Sequence, residues 1–276
     1  MPILEMFLKD FGVGFQIIRR FLLSKNRKRI ICFPHYPSRG ATIYRIAKYL
    51  DFEITNKLSR GGSLAIFWEY ATVRQEWQPL ESLNVPVLNL NSRNISKDEV
   101  GRCMELAFGY TSTIDPTTFQ GLAVKKSVTN AVHDGQEIIC PCKPEDGFVY
   151  MKLIDTSNDL GEVMDMRVVI IKNQIPHIYT AFRPIGDKFT NVPYRAEFVT
   201  DVERYLSQEE QEQLLNFARV SGLDFGELDV LRDRNDQKIY VVDTNNTPQG
   251  PPKNLTVPEK KASIESLAKC FRNEFL

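Results

Sequence analysis

Apolar runs and helically spaced apolar positions alternate along the first third of the chain. Short apolar runs typical of buried strands occur at residues 30–33, 52–54, 64–67 and 85–90. Residues 41–50 place apolar side chains on one helical face, and Ser96 with Glu99 has the capping-box spacing that begins a helix ending near Phe108. Strands that alternate with helices predict a small α/β layer over residues 28–110.

From residue 115 onward the pattern changes to strands separated by turns. The strand patterns lie at residues 121–126, 138–140, 148–154, 166–171, 175–182, 225–231 and 238–243. The fourth and fifth of these predict a hairpin, and the last two predict an antiparallel pair. A second capping box at Ser207 and Glu210 begins one helix, and Pro258 begins the last one. The second half of the chain is therefore predicted to be α+β.

The net charge of zero conceals an uneven distribution of charge. The chain has 35 Lys and Arg, 35 Asp and Glu, and 42% hydrophobic residues, a composition typical of a soluble globular protein. This composition excludes a disordered, collagen-like or disulfide-rich miniprotein class. Residues 1–50 nevertheless carry a net +8, and the other 226 residues carry −8. The chain thus has a basic front end and an acidic body.

The first 29 residues combine apolar helical spacing with a basic cluster. Apolar side chains recur from Phe7 to Leu22, and Lys25 and Arg27 to Arg29 follow. The run is shorter than the ~20 apolar residues that span a bilayer. Residues 1–27 are predicted to be an amphipathic helix and basic linker, with two alternatives left open: weak contact of residues 1–29 with a membrane surface, or packing on its own domain or in a homodimer. No nucleic-acid partner is expected, because the cluster lacks a nucleic-acid-binding motif.

The cysteines indicate the compartment of the protein, and the absence of two glycine-rich motifs argues against two kinds of nucleotide-binding site. Five scattered cysteines, an odd number, in a chain without a secretory signal predict a reduced, cytoplasmic protein. The first turn of the α/β segment lacks G-x-G-x-x-G, which argues against a dinucleotide site there. The chain also lacks G-x-x-x-x-G-K-[ST], so a P-loop is excluded.

Acidic and amide side chains stand near the ends of the last two predicted strands. Glu227 and Asp229 are two residues apart, so their side chains share one face of their strand. Asp243 and Asn245 are likewise two apart on the next strand. If the strands pair, Asp229, Asp243 and Asn245 converge, and such oxygen ligands suit Mg²⁺. The alternative is an acidic strand edge with a local turn at Asn245.

Cations that recur on strands could neutralise a phosphate beside these carboxylates. They are Lys125 and Lys126 at a strand end, Lys152 inside an apolar strand, and Arg167 and Arg183 on the two arms of the predicted hairpin. Charged side chains in otherwise buried strands must face a partner or a cleft. Each one alone is equally consistent with a solvated strand edge.

Four stretches in this order resemble the ATP-grasp superfamily, the nucleotide-binding fold of carboxylate–amine ligases. They are Gly121-Leu-Ala-Val-Lys-Lys-Ser with the loop ending at His133-Asp-Gly135, Val149-Tyr-Met-Lys-Leu-Ile154, Asp165-Met-Arg-Val with Ala181-Phe-Arg183, and Leu228-Asp-Val with Asp243-Thr-Asn-Asn-Thr-Pro248. The resemblance covers about residues 111–256. It implies an α+β ATP-grasp domain over 111–276, in which two subdomains clasp ATP, preceded by the small α/β domain at 28–110.

The resemblance also implies roles for individual residues. The nucleotide would contact Lys125, Lys126, His133, Asp134, Gly135, Met151, Lys152, Leu153, Arg167 and Arg183, and the metal ligands would be Asp229, Asp243 and Asn245. Lys126 and Arg183 would be catalytic. Asp243 stands where the family more often has Glu, and the sequence does not settle which of Lys125 and Lys126 faces the phosphate; we favour Lys126.

The activity implied by the resemblance uses ATP and Mg²⁺. A small-molecule or peptide carboxylate would be activated as an acyl-phosphate and captured by an amine or another nucleophile. Two other classes remain: a regulatory nucleotide-binding module without turnover, and an ATP-dependent small-molecule kinase on the same fold. Arg39 and Arg93 follow strands of the first domain, where they would either hold an acidic substrate or lie on an ordinary surface.

Overall fold

The computed structural model describes residues 28–129, 132, 134–187 and 193–276. The predicted helix and linker at 1–27 and the predicted nucleotide contact His133 lie outside the described residues. Within them, twelve strands form three sheets. No helix among the described residues is both long enough and apolar enough to cross a membrane.

The first sheet has four strands, all parallel, in the order β2-β1-β3-β4. Its elements are β1 (Arg29–Pro34), α1 (Thr42–Tyr49), β2 (Glu53–Thr55), β3 (Leu64–Trp68), α2 (Gln78–Glu81) and β4 (Val87–Leu88). All five residues of β3 are buried, which is characteristic of a parallel strand covered on both faces. This sheet is the α/β layer that the alternation of strand and helix patterns predicted.

The second sheet is small and antiparallel, in the order β6-β5-β7. Its strands are β5 (Gly121–Ser127), β6 (Gln136–Cys140) and β7 (Phe148–Lys152). Leu122 and Ile139 lie opposite each other and are 52% and 76% exposed, so one end of this sheet leaves its apolar face uncovered.

The third sheet has five antiparallel strands in the order β10-β9-β8-β11-β12. These are β8 (Glu162–Ile171), β9 (Ile178–Pro184), β10 (Arg195–Val199), β11 (Phe225–Arg232) and β12 (Ile239–Asn245); the remaining helices are α3 (Lys97–Phe108), α4 (Gln208–Val220) and α5 (Val257–Phe275). Pairs β8/β9 and β11/β12 are the hairpin and the antiparallel pair expected from the sequence.

Two hydrophobic cores cover the two faces of the five-stranded sheet. One joins the sheet to α5 and the parallel sheet, and Phe271 lies edge-on to Phe225 within it. The other is formed by α3 and α4, with Met104 and Phe217 buried in it. Helix α3 belongs by sequence to the predicted 28–110 domain but packs on the five-stranded sheet; the boundary near residue 110 stays a prediction.

The two expected capping boxes have different outcomes. Ser207 accepts from the Glu210 N–H, and the Glu210 carboxylate accepts from the Ser207 N–H, so this box is complete. At α3 only the Ser96 hydroxyl acts as a cap. The Ser96 N–H donates to Asn94 Oδ1 at 2.9 Å, and the Glu99 carboxylate accepts from Arg102. The full box predicted there is wrong, because the Ser96 N–H and the Glu99 carboxylate, which would form its second half, each have another local partner.

His177 predicts an acid-sensitive step in stability. It is fully buried beside Tyr179 and Phe198, and burial lowers its pKa from 6.5 to about 3. Above pH 6.5 the imidazole is neutral in both states. Below it the unfolded chain binds a proton that the folded chain excludes, so this stability is lost as pH falls toward 3. We expect the unfolding free energy, measured in urea, to fall less steeply with decreasing pH in His177→Gln than in the wild-type chain. The difference in slope should be about 1.4 kcal/mol per pH unit. Equal slopes between pH 6 and 4 would contradict this assignment.

Candidate functional site

Charged side chains converge on one face of the five-stranded sheet, where the small sheet ends. Asp229 on β11 lies directly opposite both Asp243 on β12 and Arg167 on β8. Asp165 and Glu227 are each two residues from one of these, so all five share a face of the sheet. The register therefore achieves the convergence of Asp229 with Asp243 that the strand spacing predicted.

Each carboxylate of this group has a cationic neighbour. Lys97 Nζ lies 2.9 Å from Asp243 Oδ1. The Arg183 guanidinium forms an ion pair with Asp165. We call this group the charged cluster. Its members are the cations Lys97, Lys126, Arg167 and Arg183 and the carboxylates Asp165, Glu227, Asp229 and Asp243. Its formal charge is balanced.

Lys126 belongs to the cluster through its electrostatic neighbours. Burial lowers the pKa of Lys126, and the charge of Lys97 lowers it further. The carboxylates of Asp243, Asp165 and Asp229 act on it in the opposite direction. A lysine in this position is half-buried among charges, so a compact anion entering the cluster would meet its ammonium group.

Lys125 points away from the cluster. Its Nζ lies 2.5 Å from Glu145 Oε1 and 4.2 Å from the centre of the Phe148 ring. Consecutive residues of a strand project to opposite faces, so only one of the two lysines can face the carboxylates. The structure brings Lys126 to them and leaves Lys125 on the other side of the small sheet.

Burial dominates the acid–base behaviour of the carboxylates. It raises the pKa of Asp243, Asp165 and Glu227, the last to about 7, and the cations Lys97, Arg183 and Arg167 respectively oppose the rise. The carboxylate of Asp229 in turn raises the pKa of Arg167. The carboxylates are thus held in a poorly solvated place, where added positive charge would stabilise their ionised form.

Lys152 is engaged elsewhere. Its Nζ lies 2.8 Å from Asp233 and 2.7 Å from Asp236, and it donates to the Tyr240 hydroxyl at 2.8 Å. Burial alone would lower the pKa of Lys152, but these hydrogen bonds raise it above the ordinary value. Its charge therefore stabilises the turn between β11 and β12, and its contacts do not include Asp229 or Asp243.

The other predicted nucleotide contacts have internal partners. The backbone N–H groups of Lys152 and Leu153, next to Met151 in β7, donate to the carbonyls of Ser112 and Leu122 at 2.8 and 3.4 Å. Asp134 accepts from the Ser127 N–H at 3.0 Å, which closes the loop before Gly135. A nucleotide base at this strand would have to use carbonyls or side chains, because those two N–H groups are occupied.

Asn245 is placed near the two predicted metal carboxylates. It lies opposite Glu227, two residues after Asp243, and its Oδ1 accepts from the Thr247 N–H at 3.0 Å. The expected local turn is therefore present together with the convergence. In the described part of the chain no three His, Cys, Asp or Glu side chains form a metal-holding group on their own. A divalent ion here would use two carboxylates, the amide and ligand oxygens.

Three members of the cluster were absent from the site predicted from sequence. Lys97 is the first residue of α3, where the helix dipole disfavours a cation, and this misplaced charge was a signal that could have been used. Asp165 and Glu227 were noticed only as strand neighbours of other residues.

Arg93 stacks on Trp77 at 3.5 Å and donates to the Leu90 carbonyl, so it has a structural partner.

Comparison with known proteins identifies the fold. The sequence matches no protein-family model and no curated protein. The ATP-grasp ligase PsnB, solved with a phosphomimetic precursor variant, Mg and ADP, is similar with a TM-score of 0.56 and 12% identity, covering 90% of this chain and 99% of that one. D-alanine–D-alanine ligase from Bacillus anthracis with ATP gives 0.55 and 13%, over 90% and 96%.

A third similar structure is the VanG D-Ala:D-Ser ligase from Enterococcus faecalis, with a TM-score of 0.54 and 11% identity, covering 78% of this chain and 74% of that one. At such low identity these similarities establish the fold alone. The chain has the ATP-grasp fold, so the fold that the resemblance implied is confirmed.

Proposed function

Starting from the ATP-grasp fold, we propose that the chain is an ATP- and Mg²⁺-dependent ligase-like enzyme. It would activate a substrate carboxylate as an acyl-phosphate for attack by an amine or another nucleophile. The observation that carries this proposal is the charged cluster, in which four cations alternate with four carboxylates beside the small sheet. ATP-grasp ligases with peptide or amino acid substrates are the similar structures that support it.

The residues of the cluster fit Mg²⁺ and a polyphosphate. Asp229, Asp243 and Asn245 offer the hard oxygen atoms that Mg²⁺ prefers. Since the cluster is already charge-balanced, it would accept a polyanion far better together with divalent cations than alone. Lys126 and Arg183, to which we assign catalysis, would hold phosphate oxygens, since positioning and charge neutralisation dominate phosphoryl transfer.

The small sheet offers an apolar surface on which the adenine base of ATP could bind. Leu122, Val124 and Lys126 are spaced by two and share a face, with Ile139 opposite Leu122 and Met151 opposite Val124. The exposed apolar end of this face lies on the same side of the sheet as Lys126, with the buried pair of Val124 and Met151 between them. A ligand with a flat apolar ring and a charged tail would therefore match it from end to end.

Bound ATP supplies the phosphoryl group that turns a carboxylate into an acyl-phosphate with release of ADP. The acyl carbon is then attacked by the nucleophile, and phosphate leaves. The chain's part is to orient the carboxylate and the phosphates and to exclude water. Substrate of this class would be a small-molecule or peptide carboxylate, as with the precursor peptide in the PsnB structure.

Trapping of the acyl-phosphate tests this proposal. The purified chain would be incubated with ATP, MgCl₂, hydroxylamine and a panel of amino acids and short peptides, and ADP and hydroxamate would be measured. We expect ADP and hydroxamate in equal amounts, formed only when the substrate carboxylate is present. Neither product should form with Asp243→Asn. ADP without hydroxamate would instead favour a kinase, and nucleotide binding without ADP would favour a regulatory module.

A further inference from the structure

Glu227 is a buried carboxylate without a hydrogen bond. It is 1% exposed, and among the described residues neither of its carboxylate oxygens accepts a hydrogen bond. Buried charges are nearly always paired and hydrogen-bonded, because desolvation of a lone carboxylate is costly. Because Glu227 is buried without a hydrogen bond and lies two residues from Asp229, we expect it to gain a partner when a ligand binds or a neighbouring side chain moves.

The partner is Arg167, which two carboxylates share. Arg167 Nε lies 3.2 Å from Asp229 Oδ1, a hydrogen bond, and 3.6 Å from Glu227 Oε2, a looser ion pair. On the other strand of the pair, Val169 lies opposite Glu227 and is buried, so the carboxylate is closed in by apolar surface on that side. The guanidinium thus stands nearer to the carboxylate that we propose as a metal ligand.

Strand β11 is closely packed against β12 beside Glu227. A side-chain Cβ at Gly226 would lie 2.6 Å from the Asn245 carbonyl oxygen, so the backbones of β11 and β12 are in close contact beside Glu227. The movable part is the guanidinium, whose Nε need shift only slightly to reach hydrogen-bonding distance of Glu227. Its fork of donors can bind one carboxylate while the remaining N–H groups face another anion.

We infer that Glu227 is a positioning residue that holds Arg167 in the site once a metal ion has taken Asp229. This rests on the proposed function, since it presumes a metal with nucleotide at Asp229. A divalent ion and Arg167 compete for the same Asp229 oxygen. Glu227 receives the displaced guanidinium, which keeps the arginine beside the phosphates and compensates the buried carboxylate.

A double-mutant cycle in nucleotide binding tests the inference. Glu227→Gln, Arg167→Lys and the double variant would be titrated calorimetrically with a non-hydrolysable ATP analogue, in MgCl₂ and in EDTA. In MgCl₂ we expect each single change to weaken binding about 10-fold and the double variant to be no weaker, a coupling of about 10-fold. In EDTA, where Asp229 still holds Arg167, Glu227→Gln should change the dissociation constant by less than about twofold.

Two controls separate positioning from damage to the fold. Glu227→Asp keeps the charge and should recover most of the Mg²⁺-dependent affinity. Glu210→Gln removes a carboxylate paired with Arg232 at 2.7 Å, away from the cluster, and should leave both constants unchanged. Should Glu227→Gln fail to fold, the cycle would be run with Glu227→Leu, which removes the charge without leaving a buried amide unpaired.

The outcomes distinguish this inference from the function on which it rests. A wild-type chain without Mg²⁺-dependent binding of the analogue overturns the proposed function, and this inference with it. Wild-type binding combined with independent effects of the two substitutions overturns this inference alone. Equal weakening by Glu227→Gln in MgCl₂ and EDTA also overturns it, because a merely structural role predicts that result.

Discussion

Lys126→Met is expected to weaken binding of Mg²⁺-ATP on the order of 100-fold, the usual size for removing one partner of a buried charge contact. The lysine is half-buried beside Asp165, Asp229 and Asp243, and in our account its ammonium group contacts the phosphates. Methionine keeps most of the stem and removes the charge. The protein without nucleotide should remain folded, since burial and Lys97 together lower the pKa of Lys126 despite the nearby carboxylates, so its charge does not stabilise the fold.

The neighbouring lysine provides a matched control. Lys125→Met removes the same charge from the same strand, but this lysine pairs with Glu145 and lies over Phe148 on the opposite side of the sheet. Its effect on the ATP dissociation constant should stay within about threefold, because its partner Glu145 is exposed and the pair lies outside the cluster. Calorimetric titration of the two variants decides the matter: equal effects, or a larger effect for Lys125→Met, would refute the assignment of Lys126.

Asp243→Asn is expected to abolish the thermal protection that Mg²⁺-ATP gives. At a ligand concentration 100 times the dissociation constant, the wild-type chain should gain about 2.7 kcal/mol, which raises its unfolding temperature by about 5 to 10 °C. The amide keeps the shape of Asp243 but removes one of the two carboxylate charges that would bind the metal ion. We expect a shift below about 1 °C for the variant under the same conditions.

Asp236→Asn is the control for this experiment. It removes a carboxylate 2.7 Å from Lys152 in the network at the β11–β12 turn, outside the charged cluster. Thermal scans with and without Mg²⁺-ATP should show its protection intact. Protection that survives in Asp243→Asn would remove Asp243 from the metal site, and loss of protection in Asp236→Asn would show that the effect is not specific to the cluster.

The elements of the fold were largely predictable because their signals are local. Apolar runs marked the strands of the parallel sheet. The spacing of two residues placed Asp229 on the same strand face as Glu227, and Asp243 on the same strand face as Asn245. Ser207 and Glu210 formed the expected box, since the Glu210 carboxylate accepts from the Ser207 N–H at 2.8 Å while it also pairs with Arg232. At Ser96 the same spacing gave a false expectation, because Asn94 and Arg102 offered nearer partners.

The missing members of the site depend on contacts between distant parts of the chain. Lys97 meets Asp243 only because α3 packs against β12, which no sequence pattern near either residue reveals. Lys152 had the right strand and charge for a phosphate contact, but the turn after β11 brings Asp233 and Asp236 to it. Which face of β5 is open likewise follows from the arrangement of sheets, so the choice between its two lysines required the structure.

The central claim is that the charged cluster binds ATP together with Mg²⁺, and calorimetric titration of the wild-type chain tests it most directly. ATP would be titrated into the protein in MgCl₂ and, separately, in EDTA. We predict one ATP per chain, bound at least about 10-fold more tightly with Mg²⁺, as expected when a divalent ion joins the phosphates to buried carboxylates. Absence of binding in MgCl₂, or an affinity that EDTA leaves unchanged, would contradict the account.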